Sequence, residues 1–321
     1  MNNNFSELSE QSKEKVCSVC IATFKRPELL RQLIQSLFDQ KEIKDIVLEI
    51  VVVDNDVQKS AEQIVAEFSD THSINISYYS QPIQNISLTR NMALEKSSGQ
   101  YFAVIDDDET ADQYWIRNLI DALVKYNADA VFGYVIPVFE PNLAQWKKQR
   151  EIYFLPVGKT GDRPLFHYTT NCLVKADKVK KFDLRFDPKY GLTGGEDSVF
   201  FDLLSKYEAT YVVCKEAISY EVVPRYRTEL KFICKRYFQK GNNEGRIINE
   251  TIQSKFEKLT KLIKSLVGIG YYGSQSFLLI PIRKKWIFGL IRLCYYYGQF
   301  LALFRMKLLI HKTEYDAYGK S

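Results

Sequence analysis

The sequence predicts an α/β fold, a parallel sheet covered by helices on both faces. Three observations carry this. Strand-like and helix-like segments alternate through the first half of the chain, the strand-like runs are apolar almost throughout, and three of them end in polar clusters. Strands buried on both faces lose the alternation of a half-exposed sheet, and intervening helices are what parallel strands need for their crossovers.

The elements follow in order. VCSVCIAT is apolar and β-branched, a first strand. PELLRQLIQSLFDQ places Leu30, Leu33, Ile34 and Leu37 at helical spacing, with Pro27 where a first turn tolerates it. LEIVVVDN reads as a buried strand, SAEQIVAEF as a helix, INISYYSQ as a strand, and SLTRNMALEKSSG as a helix ending at Gly99. YFAVIDDD is the next strand, then the helix QYWIRNLIDALVKY and the strand ADAVFGYVIPVF. Ligands of open α/β sheets bind beyond the carboxyl ends of the strands. Thr23–Arg26, Asp54–Asp56 and Asp106–Asp108 stand at that edge and define one composite site.

The 321 residues, 46% hydrophobic and 14% aromatic, suit a large folded core. The expected division is a polar extension over 1–15, a catalytic domain over 16–250 and a basic, apolar tail over 251–321. MNNNFSELSEQSKEK has no apolar stretch, so no signal peptide or N-terminal anchor is expected. The net charge of +5 is unevenly spread: residues 222–321 hold 19 Lys+Arg against 6 Asp+Glu, a net of +13, and the remainder is −8. An acidic body with a basic tail suits a tail that meets something anionic. Cys17 and Cys20 form a C-x-x-C inside a strand, without a second pair or a nearby His, and read as buried free thiols in a reducing cytosol, with a zinc or redox pair as the alternative.

Neither G-x-G-x-x-G nor G-x-x-x-x-G-K-[ST] is present, so a dinucleotide site and a P-loop are unsupported. A nucleotide diphosphate then needs another counter-charge, and carboxylates holding a hard divalent metal supply one. Side chains at i and i+2 leaving a strand share a face. Asp106 and Asp108 would face one cavity while Asp107 points elsewhere; a solvated acidic loop or a helix N-cap is the plainer alternative. Downstream, GLTGGEDSVFFDLL starts a helix at Glu196-Asp197 behind two glycines. The macrodipole favours acids there, and the same acids suit a base that deprotonates an acceptor hydroxyl beside a partner that orients it.

CIATFKRPELLRQLIQSL, IVVVDND, LTRNMAL, YFAVIDDDE and GLTGGEDSVFF, in this order, resemble a family 2 inverting glycosyltransferase of the GT-A fold, from about Val16 to about Gly241. The resemblance implies a Rossmann-like mixed sheet, a UDP-linked nucleotide-sugar donor, a divalent metal (Mn²⁺ or Mg²⁺), and single displacement with inversion onto a glycan or lipid-linked glycan. Thr23 and Arg26 would line the nucleotide pocket, Asp54 with Asn55 would meet the base, and Arg90 and Asn91 would flank it. Asp106 and Asp107 would lie on the donor side, Asp106 at the ribose or the metal and Asp108 on the metal. Asp197 would be the general base, Glu196 would bind acceptor, and Arg236 resembles an arginine that closes over the donor, against a plain surface-helix reading. Family members often carry a further metal-binding His where this chain has Glu221; Glu221 substitutes as an oxygen ligand, or the metal is held more weakly. His72 and His311 read as surface residues, and His167 as a substrate contact or a packed ring.

The rival enzyme class, a sugar-1-phosphate nucleotidyltransferase, needs a glycine-rich basic first loop that Ala22–Pro27 lacks; an inactive scaffold is the non-enzymatic alternative. Beyond residue 255, lysines alternate with large apolar residues, and an uncharged run and a second apolar run with a single Arg flank Arg283-Lys284-Lys285. Helices lying on the inner face of the cell membrane, against anionic lipid, fit basic flanks on all sides. Membrane spans and packing on the body are the alternatives. Interleaved aliphatic side chains argue against nucleic acid, and the expected location is cytoplasmic, peripheral or monotopic.

Overall fold

The computed structural model describes residues 15–69, 74–278 and 285–304. His72, His311, Arg283, Lys284, the extension before Lys15 and the end of the tail lie outside the described residues, as does the side chain of Lys285. Contacts divide the chain into two units, one of 1–136, 155–191 and 196–221, the other of 137–154, 192–195 and 222–321.

The first unit contains β1 (Lys15–Thr23), α1 (Pro27–Phe38), β2 (Ile46–Asp54), α2 (Glu62–Ser69), β3 (Asn75–Ser80), α3 (Ile86–Lys96) and β4 (Tyr101–Val104). It continues with β5 (Glu109–Ala111), α4 (Trp115–Lys125), most of β6 (Ala130–Val138), β7 (Cys172–Lys175), α5 (Ala176–Lys181), α6 (Glu196–Ser205) and β8 (Tyr211–Val222). Among the described residues the strands form one sheet in the order β3-β2-β1-β4-β7-β6-β8-β5.

β3, β2, β1 and β4 are parallel, as the alternation predicts. The far half is not: β7 runs antiparallel to β4 and β6, and β5 antiparallel to β8. These two strands, CLVK and ETA, are too short for a period to show in sequence. From β1 the chain winds outward through β2 and β3, then returns to β1's other side as β4. That reversal makes the β1–β4 edge the topological switch point, where such sheets open a crevice.

Strand period two sorts side chains to the two faces. Cys17, Val19 and Ile21 of β1 meet Leu30, Leu33 and Leu37 of α1 and Trp115, Ile116 and Leu119 of α4 on one face. Cys20, Val51 and Val53 meet Leu94 of α3 and Phe200, Phe201 and Leu204 of α6 on the other. Cys17 and Cys20 therefore lie in opposite cores as buried free thiols, and their spacing does not make a chelating pair.

The second unit holds α7 (Leu230–Thr251), α8 (Lys255–Leu278) and α9 (Lys285–Leu303), and α9 packs against both others. Glycines set the approach of α7 to α9. A Cβ on Gly241 would stand 1.9 Å from the Tyr295 carbonyl oxygen, and one on Gly298 2.1 Å from that of Phe238. Across the α8–α9 seam Ser265 Oγ lies 2.7 Å from Gln299 Oε1, and Tyr272 stacks on Tyr296. α7, placed before residue 250 in the sequence reading, thus shares its packing with α9 beyond it. Among the described residues no helix is long and apolar enough to cross a membrane.

Gly241→Val should destabilise the protein by about 3 kcal/mol, because a backbone carbonyl cannot yield as a side chain does. Gly270→Ala on α8, with nothing within 4 Å, should instead stabilise by up to about 1 kcal/mol through helix propensity. Thermal unfolding of the two variants decides; equal effects would refute the close α7–α9 approach.

Candidate active site

The parallel register of β1 on β4 ends with Cys20 opposite Val104, and beyond it a side-chain contact joins Thr23 to Asp107. Thr23 Oγ1 donates to Asp107 Oδ2 at 2.9 Å. Lys25 adopts a left-handed φ of 55°, which reverses the chain so that Arg26 turns back over the same acid. Arg26 Nη1 reaches Asp107 Oδ1 at 2.7 Å and Asp108 Oδ2 at 3.1 Å. The expected alternation of Asp106 and Asp108 against Asp107 therefore fails. β4 ends at Val104 and the acids sit in a turn, so strand period no longer applies, and Asp107 and Asp108 share one guanidinium. Burial outweighs that cation for Asp107 and pushes its carboxyl up to about 6.

Arg90 of α3 joins this cluster to the second one. Its Nη1 lies 2.5 Å from Glu196 Oε1 and its Nη2 3.5 Å from Asp106 Oδ1. Glu196 and Asp197 occupy the first turn of α6, where the dipole favours anions. Gly194 and Gly195 before them hold φ of 79° and 96°, a region that favours glycine. The Asp197 carboxyl accepts from the Ser198 N–H at 2.7 Å. Burial first, and then the negative charge of Glu196, push it up to about 7 although Arg90 pulls the other way.

Other expected donor contacts serve the backbone here. Asp54 accepts from the N–H groups of Asp56 and Ala61 and the hydroxyl of Tyr78, and burial raises its pKa. Asn55 donates to the Gln81 and Ile83 carbonyls and accepts from Asn85 N–H, shaping the turn that leads to α3. Asn91 brackets Phe186, donating to its carbonyl and accepting from its N–H. His167 packs its ring against Phe132, Phe201 and Tyr211, and burial lowers its pKa. Arg236 lies on α7 in the second unit.

Sequence reasoning missed Glu109, although it is the fourth acid of the quoted run. It opens β5 directly opposite Glu221 of β8, and the two are 1% and 8% exposed. Burial, then the charges of Asp106 and Glu221, raise its pKa well above the ordinary range. The Ser219 hydroxyl, which accepts from Asn171 Nδ2, acts on Glu109 in the other direction and lowers it. Neither Glu109 oxygen makes a hydrogen bond among the described residues.

These side chains are of the chemical kind that a hard divalent metal takes. The side chains are hard oxygens, and both Glu109 oxygens and Glu196 Oε2 are buried polar atoms without partners among the described residues. No three His, Cys, Asp or Glu side chains among the described residues form a ready-made metal cage. Arg26 and Arg90 pair with these acids instead.

A raised carboxyl pKa means that the folded state binds the proton more tightly than the unfolded one. Stability from Asp197 is therefore present below about pH 3.8 and falls as pH rises through about 7. Asp197→Asn removes that loss. Its unfolding midpoint relative to wild type should rise from pH 5 to pH 8, with a ceiling of roughly 1.4 kcal/mol per pH unit. A difference independent of pH would mean that Asp197 ionises as an ordinary surface acid.

Comparison with known proteins adds the family relation. Residues 18–182 match the model of the family described as Glycosyl transferase family 2. The chain is 32% identical over 231 residues to succinoglycan biosynthesis protein ExoM of Rhizobium meliloti (strain 1021), covering 72% of this chain and 74% of that protein. The fold is similar to mannosyltransferase PcManGT from Pyrobaculum calidifontis in complex with GDP-Man and Mn²⁺, at TM-score 0.64, 14% identity, and 92% and 89% coverage of the two chains. It is also similar to S. aureus TarS 1-349 in complex with UDP, at TM-score 0.50, 14% identity, and 92% and 95% coverage.

Proposed function

The chain belongs to glycosyl transferase family 2 and is a glycosyltransferase; from that premise we propose that it transfers a sugar, with inversion and with a divalent metal, from a UDP-sugar to a hydroxyl of a glycan or lipid-linked glycan. The observation that carries this reading is Arg90, whose single guanidinium touches both Asp106 and Glu196. It ties the acids of the β4 edge to the acid pair of α6, so that donor and acceptor chemistry share one crevice.

In this reading Thr23 and Arg26 fix the Asp107 turn, and Asp106 and Asp108 face the donor diphosphate. Mn²⁺ or Mg²⁺, held by Asp108 with Asp106 and Glu221, would supply the positive charge that stabilises the departing nucleoside diphosphate. Asp197 takes the proton from the acceptor hydroxyl as its oxygen bonds to the anomeric carbon. The bond from that carbon to the diphosphate oxygen breaks on the opposite face. A carboxyl pushed up to about 7 suits a base working near neutrality, and Glu196, fixed by Arg90, orients the acceptor. ExoM, named for succinoglycan biosynthesis, and TarS, seen with UDP, support a polysaccharide product and a uridine donor.

An anionic membrane surface is the partner we assign to the second unit. On α8 the side chains of Phe256, Leu259, Ile263, Val267, Tyr271 and Phe277 share one face at helical spacing and are all exposed, Phe256 by 79% and Phe277 by 74%. Lys255 and Lys264 flank this stripe. Apolar burial and lipid phosphate then act together, the latter at about 1 kcal/mol per basic residue near the surface.

Asp197→Asn should leave UDP affinity within about twofold while lowering transfer by at least about 10²-fold, a usual general-base contribution. The donor is found by thermal shift with a panel of nucleotide sugars, and the anomeric configuration of the product by NMR. Near-normal transfer by the variant, or a retained configuration, would overturn the mechanism. For the membrane, Ile263→Glu with Val267→Glu in the full chain should abolish co-sedimentation with phosphatidylserine-containing vesicles. Unchanged sedimentation would refute the α8 face, and a dimer that the same pair dissolves would assign it to a second copy.

A further inference from the structure

Gly194 and Gly195 lead directly into the acid pair of α6 with φ of 79° and 96°. Glycine loses more backbone freedom on folding than any other residue, so two in a row do not hold a conformation by themselves. Gly195 also brings no side chain to cap the first turn of α6. The direction of Asp197, the second residue of that helix, therefore depends on what holds the segment before it. Residues 192–195 group with α7, whereas the stretches on either side of them belong to the sheet unit.

Two side chains of α7 supply the hold. Asn243 Nδ2 donates to the Thr193 carbonyl at 2.5 Å, and Arg246 Nη2 donates to the Thr193 hydroxyl at 3.1 Å. Residues at i and i+3 are neighbours on one helix face. Thr193 is buried, and its main chain and side chain are engaged at once, which fixes both its place and its rotation. A Cβ on Gly194 would stand 3.0 Å from Asn243 Nδ2, so the same amide lies against the first glycine as well. The flanks are tied separately: the Gly191 carbonyl accepts from the Ile86 N–H at 3.1 Å, and Glu196 pairs with Arg90.

We propose that Asn243 and Arg246 are positioning residues for glycosyl transfer, setting through Thr193 the two-glycine segment from which α6 presents Asp197. This rests on Asp197 as the base, the reading given above, and adds to it two residues of α7 that belong to neither acid cluster. The hold acts on the reacting side of the acceptor and not on the donor, so it should be felt in kcat before KM for the nucleotide sugar.

The test is turnover by the full chain of the nucleotide sugar that the thermal-shift panel selects, read as release of its nucleoside diphosphate. Asn243→Ala, Arg246→Met and Thr193→Val should each lower kcat by at least about 10-fold, since small misplacements of a reacting group are costly. Donor KM should stay within about twofold of wild type, and Thr193→Ser, which keeps the hydroxyl, should restore kcat to within about twofold. Arg246→Met with Thr193→Val should be no worse than either alone, because the two changes break one hydrogen bond. In an Asp197→Asn background Arg246→Met should lower kcat no further, the group it positions being already gone. If Asp197→Asn loses transfer while Asn243→Ala, Arg246→Met and Thr193→Val keep wild-type kcat, the proposal is overturned and the base assignment stands. An Arg246→Met loss as large in the Asp197→Asn background as in wild type also overturns it, for Arg246 would then act elsewhere. Near-normal transfer by Asp197→Asn would remove the base reading and the positioning role with it. Should Arg246→Met fail to fold, Thr193→Val against Thr193→Ser carries the same decision.

Discussion

The crevice is governed by the cost of holding many carboxyls close together in partly desolvated surroundings. Asp106, Asp107, Asp108, Glu109 and Glu221 come from one side, Glu196 and Asp197 from the other, and the guanidiniums of Arg26 and Arg90 reach into them. Charges removed from water must be paired or protonated. Both responses are visible: the arginines make close ion pairs, while burial still pushes Asp107 up to about 6 and Asp197 up to about 7. Arginine suits this position because it stays charged and offers donors in several directions. Arg90 uses two nitrogens for two different acids, so one side chain sets the spacing between the β4 turn and the α6 N-terminus.

The sheet explains why these groups meet at all. β1 lies at the reversal of strand order, so its end adjoins that of β2 on one side and that of β4 on the other. Register fixes Thr23 of β1 beside Asp54 of β2, and the Thr23 hydroxyl then ties the Asp107 turn beyond β4 to the same edge. This much was legible in sequence, since apolar runs locate the strands and polar residues mark where each emerges. The acid pair was legible for the same reason, standing at the first turn of a helix with apolar Phe200 and Leu204 behind it.

What sequence could not show depended on contacts between distant segments. The i, i+2 argument assumed that a strand continued through Asp106–Asp108, and the turn there gave Asp107 and Asp108 a common partner instead. β5 is three residues long, so its pairing with β8, and with it the buried Glu109, had no period to betray it. Asn55 and Asn91 were placed at the donor by the family resemblance, and here both side chains hydrogen-bond main-chain groups. In the second unit, hydropathy pointed to two apolar runs, one ending α8 and one forming α9. That helix supplies Ile287 and Ile291 to a buried cluster and receives the glycine face of α7, whereas the less apolar α8 keeps an exposed stripe. Mean hydropathy does not tell a helix core from a helix surface; the partner of each face does.

The central claim is that the acids exceed what the two arginines can neutralise, and that a divalent cation makes up the difference when a diphosphate arrives. Calorimetric titration of UDP into the full chain, with Mn²⁺ and then with a chelator, tests it most directly. An acid-rich crevice repels the diphosphate without metal, so UDP affinity should rise by at least about 10-fold, or roughly 1.4 kcal/mol, when Mn²⁺ is present. Equal UDP affinity in Mn²⁺ and in chelator would mean that Arg26 and Arg90 carry the diphosphate by themselves, and would contradict the claim.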